Sequence, residues 1–265
     1  MQALSVPHIF VIYISRDIMD YKALCDFLNT KKIEYKLNEP MKNHTSFKIG
    51  GNADVFVSVR SEVELSLLIK TVKLQNIPYF ILGKGSNILV SDSGIDGVVI
   101  SLLNMESIEV NGETITAYAG ASLARVCTEA LNNSLSGLEF AYGIPGSVGG
   151  ALFMNAGAYG GEMSQIVSKA FYITDDGEND EIDLKDMCLG YRTSIFKNSN
   201  MIISKVVFSL QKGDKIKIND SMNDFLKRRK DKQPLEYPSA GSTFKRPEGY
   251  FAGALIEQNG LRATP

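Results

Sequence analysis

Glycine is concentrated in two stretches of this chain, and each interrupts a segment that otherwise reads as regular structure. The first, Gly83-Lys-Gly-Ser-Asn87, is entered directly by the apolar run at residues 78–82. The second, Gly143-Ile-Pro-Gly-Ser-Val-Gly-Gly150, continues into Ala151-Leu-Phe-Met-Asn-Ala-Gly-Ala-Tyr-Gly160. A glycine in regular structure costs roughly 0.5–1 kcal/mol relative to alanine, so such density implies close approach of backbone to something else. The first loop fails the GxGxxG dinucleotide fingerprint because Ile88 stands at its third glycine position, and no Gly-Lys-Ser/Thr closes a phosphate-binding GxxxxGK[ST] pattern. What remains is a tight turn after a strand, in which small residues let successive N–H groups face an anion. An ordinary turn explains the first loop alone; two such loops suit a long ligand with a diphosphate, such as a dinucleotide.

The surrounding pattern mixes both periodicities. Tyr21, Leu24, Cys25 and Leu28 recur at helical spacing, which predicts a helix over residues 20–33. Residues 53–59 alternate as a strand, and Ser61-Glu-Val-Glu64 has the form of a capping box opening a helix with Val63, Leu67, Leu68 and Val72 on one side. With the strand at 78–82 this is a β-α-β unit. Residues 107–110 and 114–118 flank Asn111-Gly112, a two-residue hairpin signal. Residues 122–135 read as a helix, 169–174 and 201–210 as strands around a turn at Asp175-Asp-Gly177 and a short helix near Asp183. Residues 211–215 read as a linker, and 219–230 and 251–259 as helices, the last ended by Gly260. Helices, strands and hairpins together predict an α+β fold rather than a doubly wound one.

Composition narrows the function. The 265 residues, 44% hydrophobic and 22% charged, suffice for one large or two modest soluble domains. A net charge of −2 offers no clustered basic surface for a phosphate backbone, so no nucleic acid is expected as partner. Cys25, Cys127 and Cys188 are far apart and the only histidines are His8 and His44, so neither a disulfide framework nor a metal site is predicted; the cysteines read as buried thiols in a reducing cytoplasm. The apolar run at residues 9–14 is shorter than the ~20 residues of a membrane span and has no basic residue before it, so neither membrane insertion nor a secretory signal is expected. Because Met19 stands just before the first helix, residues 1–18 read as an N-terminal extension. The basic run Lys227, Arg228, Arg229 and Lys230 fits either a helix end complementing its dipole or a phosphate-facing patch.

Five motifs then occur in a familiar order: Asn43-His-Thr-Ser-Phe-Lys-Ile-Gly-Gly51, Gly83-Lys-Gly-Ser-Asn87, the second glycine loop with Asn155-Ala-Gly-Ala-Tyr-Gly160, Tyr191-Arg-Thr-Ser-Ile-Phe-Lys197, and Ala240-Gly-Ser-Thr-Phe-Lys245. Together they resemble the UDP-N-acetylenolpyruvoylglucosamine reductase family, from about residue 38 to residue 262. The resemblance implies an FAD-binding fold of the vanillyl-alcohol-oxidase type in two α+β subdomains, about residues 19–104 and 105–210, followed by a substrate-binding domain at 211–265 that is incomplete. It implies non-covalent FAD, NADPH as reductant, and reduction of a UDP-sugar enolpyruvyl ether to UDP-N-acetylmuramate by a cytoplasmic monomer. That reaction belongs to peptidoglycan precursor synthesis, and so to cell-wall biogenesis, shape and division.

Carried over residue by residue, the resemblance makes Arg192 the catalytic arginine that stabilises enolate charge and Ser242 the proton donor. Lys232 falls where a lysine meets the substrate pyrophosphate, and Tyr159 and Asn155 on the flavin or substrate face. Along FAD it places Thr45, Ser46, Gly50, Gly51, Gly83, Lys84, Gly85, Ser86, Asn87, Gly143, Ile144, Pro145, Gly146, Ser147, Gly149, Gly150 and Gly157. His44 reads as a satisfied structural histidine. The chain is expected to stop before the family's third catalytic residue, a glutamate, and to leave Phe251, Leu255 and Ile256 exposed. A flavin oxidase of the same fold, or a flavin-binding remnant without turnover, are the alternatives.

Overall fold

The computed structural model describes residues 10–12 and 20–261; the remainder of the expected extension lies outside the described residues. In chain order, β1 (Phe10–Ile12), α1 (Lys22–Lys31), β2 (Glu34–Pro40), β3 (Asn52–Ser58), α2 (Glu62–Leu74), β4 (Tyr79–Leu82), β5 (Ile88–Val90) and β6 (Ile95–Ser101) form the first half. One sheet has the order β2-β3-β6-β4, with β2 antiparallel to β3 and β6 parallel to both its neighbours; β1 runs parallel to β5. Alternation along the strands buries both faces. Val55, Val57, Val98 and Ile100 enter the main core, while Phe56 and Val99 join a smaller cluster with Met41, Leu82 and Val90.

Helix α2 buries Leu65, Leu68, Ile69 and Val72, spaced i, i+3, i+4, i+7, and Val63 is 68% exposed. The expected stripe is thereby corrected: Leu65 and Ile69 take the places given to Val63 and Leu67. Ser61 caps this helix by accepting from the Glu64 N–H at 3.2 Å. The Glu64 carboxylate takes the N–H of Arg60 at 2.8 Å instead of that of Ser61, so only half of the capping box forms.

The second half comprises β7 (Ile108–Asn111), β8 (Thr114–Tyr118), α3 (Leu123–Asn132), β9 (Leu135–Ser136), α4 (Val148–Phe153), β10 (Gly157–Ala158), β11 (Gly161–Glu162), β12 (Val167–Ile173), β13 (Asn179–Asp183), β14 (Ile202–Ser209), β15 (Gln211–Lys212), α5 (Lys215–Lys232) and α6 (Ala252–Gln258). Five of the strands make an antiparallel sheet of order β13-β12-β14-β8-β7. The β7–β8 turn sits one residue later than expected. Asn111 pairs with Thr114, whose hydroxyl donates to the Asn111 carbonyl at 2.8 Å, so the turn residues are Gly112 and Glu113.

The expected linker is structured as well. β15 pairs with β9, and Asp214 caps α5, whose Ile218 and Met222 are buried in the main core. Helix α2 ties the two sheets together. Glu62 accepts from the buried Ser204 hydroxyl at 2.6 Å and pairs with Lys205 at 3.0 Å, while Lys70 meets Glu178 at 2.6 Å and Lys73 meets Asp175 at 3.0 Å. The architecture is the expected α+β one. Among the described residues no helix is long and apolar enough to cross a membrane.

Candidate functional site

A cleft of about 1900 Å³ runs along both glycine loops and is closed on its far side by the end of α5 and the segment after it. The first loop follows β4, and the second leads into α4, whose N-cap Ser147 is almost fully buried. The loops touch, because a Cβ on Gly83 would come 2.5 Å from the Ser147 hydroxyl. Gly85 has a positive φ of 64°, and a Cβ there would lie 2.0 Å from the His44 carbonyl oxygen. The Ser46 N–H donates to the Gly85 carbonyl at 3.0 Å, pinning the loop to the segment before β3. Among the described residues the N–H groups of Lys84, Gly85 and Ser86 donate to no protein acceptor. Three consecutive N–H groups without a protein acceptor in a cleft wall are donors that an anion could satisfy.

Arg192 lies across the same cleft. It occupies a tight turn in which Gly190 and Thr193 exchange backbone hydrogen bonds of 3.1 and 3.2 Å, and its φ is 57°, in the left-handed region. Its guanidinium donates to the Gly157 carbonyl at 3.3 Å and sits 5.6 Å from the centre of the Tyr191 ring. Among the described residues no carboxylate pairs with it, so a half-buried cation is left to meet an anion in the cleft. Ser242 is on the segment that spans the cleft. That segment is held at one end by the Ser239 N–H donating to the Ser46 carbonyl at 3.2 Å, and at the other by the Arg246 N–H donating to the Tyr191 hydroxyl at 3.3 Å. The Ser242 hydroxyl is exposed and donates to the Phe244 carbonyl at 3.2 Å.

Eighteen of the residues singled out from the sequence therefore share one cleft: Ser46, Gly83 to Asn87, Gly143 to Ser147, Gly149, Gly150, Gly157, Tyr159, Arg192, Lys232 and Ser242. Four do not line it. Thr45 is buried, with its hydroxyl donating to the Ile49 carbonyl at 3.1 Å. Gly50 and Gly51 pack against Val90 and the backbone of Asp92, where any side chain would collide.

Asn155, 2% exposed, is turned into the protein. Its amide donates to the Gly190 carbonyl and its oxygen accepts from the Ser164 N–H, both at 3.0 Å. It clamps the base of the Arg192 turn. Asn155→Ala removes the acceptor of the Ser164 N–H and one of the two donors on the Gly190 carbonyl, which keeps the Thr193 N–H, and is expected to cost about 1–3 kcal/mol of stability in urea unfolding; an unchanged midpoint would remove the clamp.

His44 stacks on Phe56 with ring centres 4.0 Å apart and meets Glu39 at 2.8 Å, the satisfied structural role expected of it. The His44 hydrogen bond holds the Glu39 carboxyl below its ordinary value of 4.5. A lowered folded-state value stabilises above the unfolded value and is lost as pH falls through the folded one. Wild type is thus expected to melt about 2 °C above Glu39→Gln at pH 7. The gap should close below pH 4.5, and a gap constant from pH 7 to pH 3 would show that the pair contributes nothing.

Sequence reasoning missed several contributors. Of the basic run at the end of α5, Arg229 lines the cleft, with its stem 3.3 Å from where a Gly143 Cβ would stand. Burial lowers the Arg229 pKa, as expected for a cation partly removed from water. Arg228 instead pairs with Asp224 at 2.7 Å on the exposed side. Tyr191, Arg246 and Phe251 also line the cleft, the last with the Arg246 guanidinium 3.9 Å above its ring. Phe251 is 61% exposed, as expected, whereas Leu255 and Ile256, expected to be exposed with it, are half-buried. Among the described residues no cluster of His, Cys, Asp or Glu could hold a metal.

The unclaimed loop donors and the Lys84 cation beside them fit a dinucleotide diphosphate such as FAD. Comparison with known proteins agrees. Residues 53–182 match the family described as FAD binding domain, and residues 233–264 the one described as UDP-N-acetylenolpyruvoylglucosamine reductase, C-terminal domain. The chain is 51% identical over 233 residues to the UDP-N-acetylenolpyruvoylglucosamine reductase of Clostridium novyi, covering 88% of this chain and 76% of that one. To the corresponding enzyme of Clostridium kluyveri it is 48% identical, covering 86% and 75%. The crystal structure of the reductase from Thermus caldophilus superposes with a TM-score of 0.74 at 32% identity, over 88% of this chain and 81% of that one. Glucooligosaccharide oxidase from Acremonium strictum, at 12% identity and a TM-score of 0.56 over 73% of this chain and 43% of that one, shares the fold alone.

Proposed function

The chain belongs to the UDP-N-acetylenolpyruvoylglucosamine reductase family, and from that membership we propose that it reduces the enolpyruvyl ether of UDP-N-acetylglucosamine to UDP-N-acetylmuramate, with FAD bound non-covalently and NADPH as reductant. The observation that carries this reading is one cleft holding both the unclaimed N–H groups of the first glycine loop and the Arg192 guanidinium, which meets no carboxylate among the described residues. We place the reaction in the cytoplasm, in peptidoglycan precursor synthesis, and assign the FAD-binding region to residues 19–210 and the substrate-binding region to 211–265.

Bound FAD supplies the hydride relay between NADPH and the alkene. The remaining chemistry falls to the protein. Hydride arriving at the terminal carbon of the enolpyruvyl group puts negative charge on the adjacent carbon and its carboxylate. Arg192, permanently charged and already positioned by the Gly157 carbonyl and the Tyr191 ring, is suited to hold that carboxylate and the charge that spreads into it. The adjacent carbon then needs one proton. Ser242 carries a hydroxyl proton now given to the Phe244 carbonyl, and an enolate is basic enough to take it. To Lys232 and Arg229, at the end of α5, we assign the diphosphate of the UDP-sugar; Tyr159, close to Arg229, lines the same cleft. Lys84 and the N–H groups of Lys84, Gly85 and Ser86 are left for the diphosphate of FAD.

The test is anaerobic absorbance of the purified, FAD-loaded protein. NADPH should bleach the flavin and the enolpyruvyl UDP-sugar should restore its colour. Bleaching that the sugar never reverses would sink the reductase reading for this chain, and rapid recolouring by oxygen with peroxide release would favour an oxidase.

A further inference from the structure

We propose that Phe225 is a positioning residue for the sugar-binding wall of the cleft, acting through Tyr159; the proposal rests on the reductase reading above. Tyr159 and Gly160 form the two-residue turn between β10 and β11, where Gly157 faces Glu162 and Ala158 faces Gly161. Both turn residues have positive φ, 53° and 88°. Such turns are ordinarily filled by Asn, Asp or Gly. A tyrosine forced into the left-handed region persists only when its surroundings hold it there.

The Phe225 ring holds it. The two rings stack with centres 4.8 Å apart and planes 4° from parallel. On α5, Phe225 stands three residues after Met222, which is buried in the core, and four before Arg229, which reaches the cleft at Gly143. One helix face therefore anchors α5, delivers Phe225 to Tyr159 and delivers Arg229 to the second glycine loop. Tyr159 lines the cleft and Phe225 stands behind it. The same hairpin carries the Gly157 carbonyl on which the Arg192 guanidinium rests at 3.3 Å. A single ring contact thus fixes the Tyr159 side chain.

The test compares FAD-loaded wild type, Phe225→Leu and Phe225→Tyr. The leucine keeps apolar bulk and loses the ring. Its KM for the enolpyruvyl UDP-sugar is expected to rise about 3–10-fold, the equivalent of a lost aromatic stack, with kcat little changed. Phe225→Tyr should restore it. In a Tyr159→Leu background, Phe225→Leu should add nothing, because its effect passes through the missing ring. Independently of the sugar, 3-fluorotyrosine at residue 159 should show a ring-current-shifted fluorine signal that moves in Phe225→Leu.

An unmoved fluorine signal, an unmoved KM, or effects that add in the double variant would each overturn the proposal, as would a lowered melting temperature as the sole effect. Should Phe225→Leu fail to fold, Phe225→Met makes the same comparison. If wild type itself never transfers to the sugar, the reductase reading fails, and the fluorine signal still decides whether Phe225 positions Tyr159.

Discussion

Arg192→Ala is expected to lower kcat/KM for the enolpyruvyl UDP-sugar by about 10²–10³-fold, the loss typical of removing one preorganised donor from developing negative charge. The turn that carries residue 192 should survive, because Gly190 and Thr193 close it through their backbones and Asn155 holds its base from below. The loss should therefore fall on chemistry more than on folding. NADPH should still bleach the flavin at a rate far closer to wild type than sugar-dependent recolouring, since the carboxylate that Arg192 is proposed to hold belongs to the sugar. Arg192→Lys should recover only part of the activity, because an ammonium lacks the planar fork that matches a carboxylate. Stopped-flow absorbance measures both half-reactions on one sample. Recolouring at the wild-type rate in Arg192→Ala would remove this arginine from the mechanism.

Gly85→Ala is expected to yield protein purified with little or no flavin. Alanine must adopt a φ of 64° and would bring its Cβ to 2.0 Å from the His44 carbonyl oxygen, a backbone atom that cannot rotate away. Left-handed strain alone costs of order 1–3 kcal/mol, and relieving the collision means pulling the loop from Ser46, whose N–H binds the Gly85 carbonyl at 3.0 Å. The N–H groups proposed to meet the diphosphate would then lose their common orientation. The ratio of flavin to protein absorbance after gel filtration reads this directly, and flavin titration gives the residual affinity. Stoichiometric flavin in Gly85→Ala would show that the first loop does not hold the cofactor.

Much of the fold was legible because the signals were local. Ser61 reads as the cap of the helix that follows it, a contact decided within four residues of sequence, whereas the helix that Ser147 caps is not expected inside the second glycine stretch. The hairpin at Asn111 was found but placed one residue early, because the Thr114 hydroxyl claims the Asn111 carbonyl and that competition is invisible to a turn rule. The α2 stripe was misread at Val63 and Leu67 because both are apolar; only the packed core selects Leu65 and Ile69 over them.

The same division runs through the site. Sequence alone determined that two glycine loops exist, that they are of a kind that lets backbone meet a diphosphate, and that Arg192 and Ser242 stand in motifs resembling those of a reductase family. Backbone conformational preference and motif order are properties of neighbouring residues, so they can be read before any folding is known. Tertiary structure alone decided which cation of the run from Lys227 to Lys230 faces the cleft, since burial of Ile218 and Met222 sets the rotation of α5 and turns Arg229 inward. It also assigned Asn155 to the underside of the Arg192 turn, across 35 residues of sequence, and Gly51 to the backbone of Asp92 rather than to the cleft. These choices depend on which surfaces meet once the sheets close, and no local preference encodes that meeting.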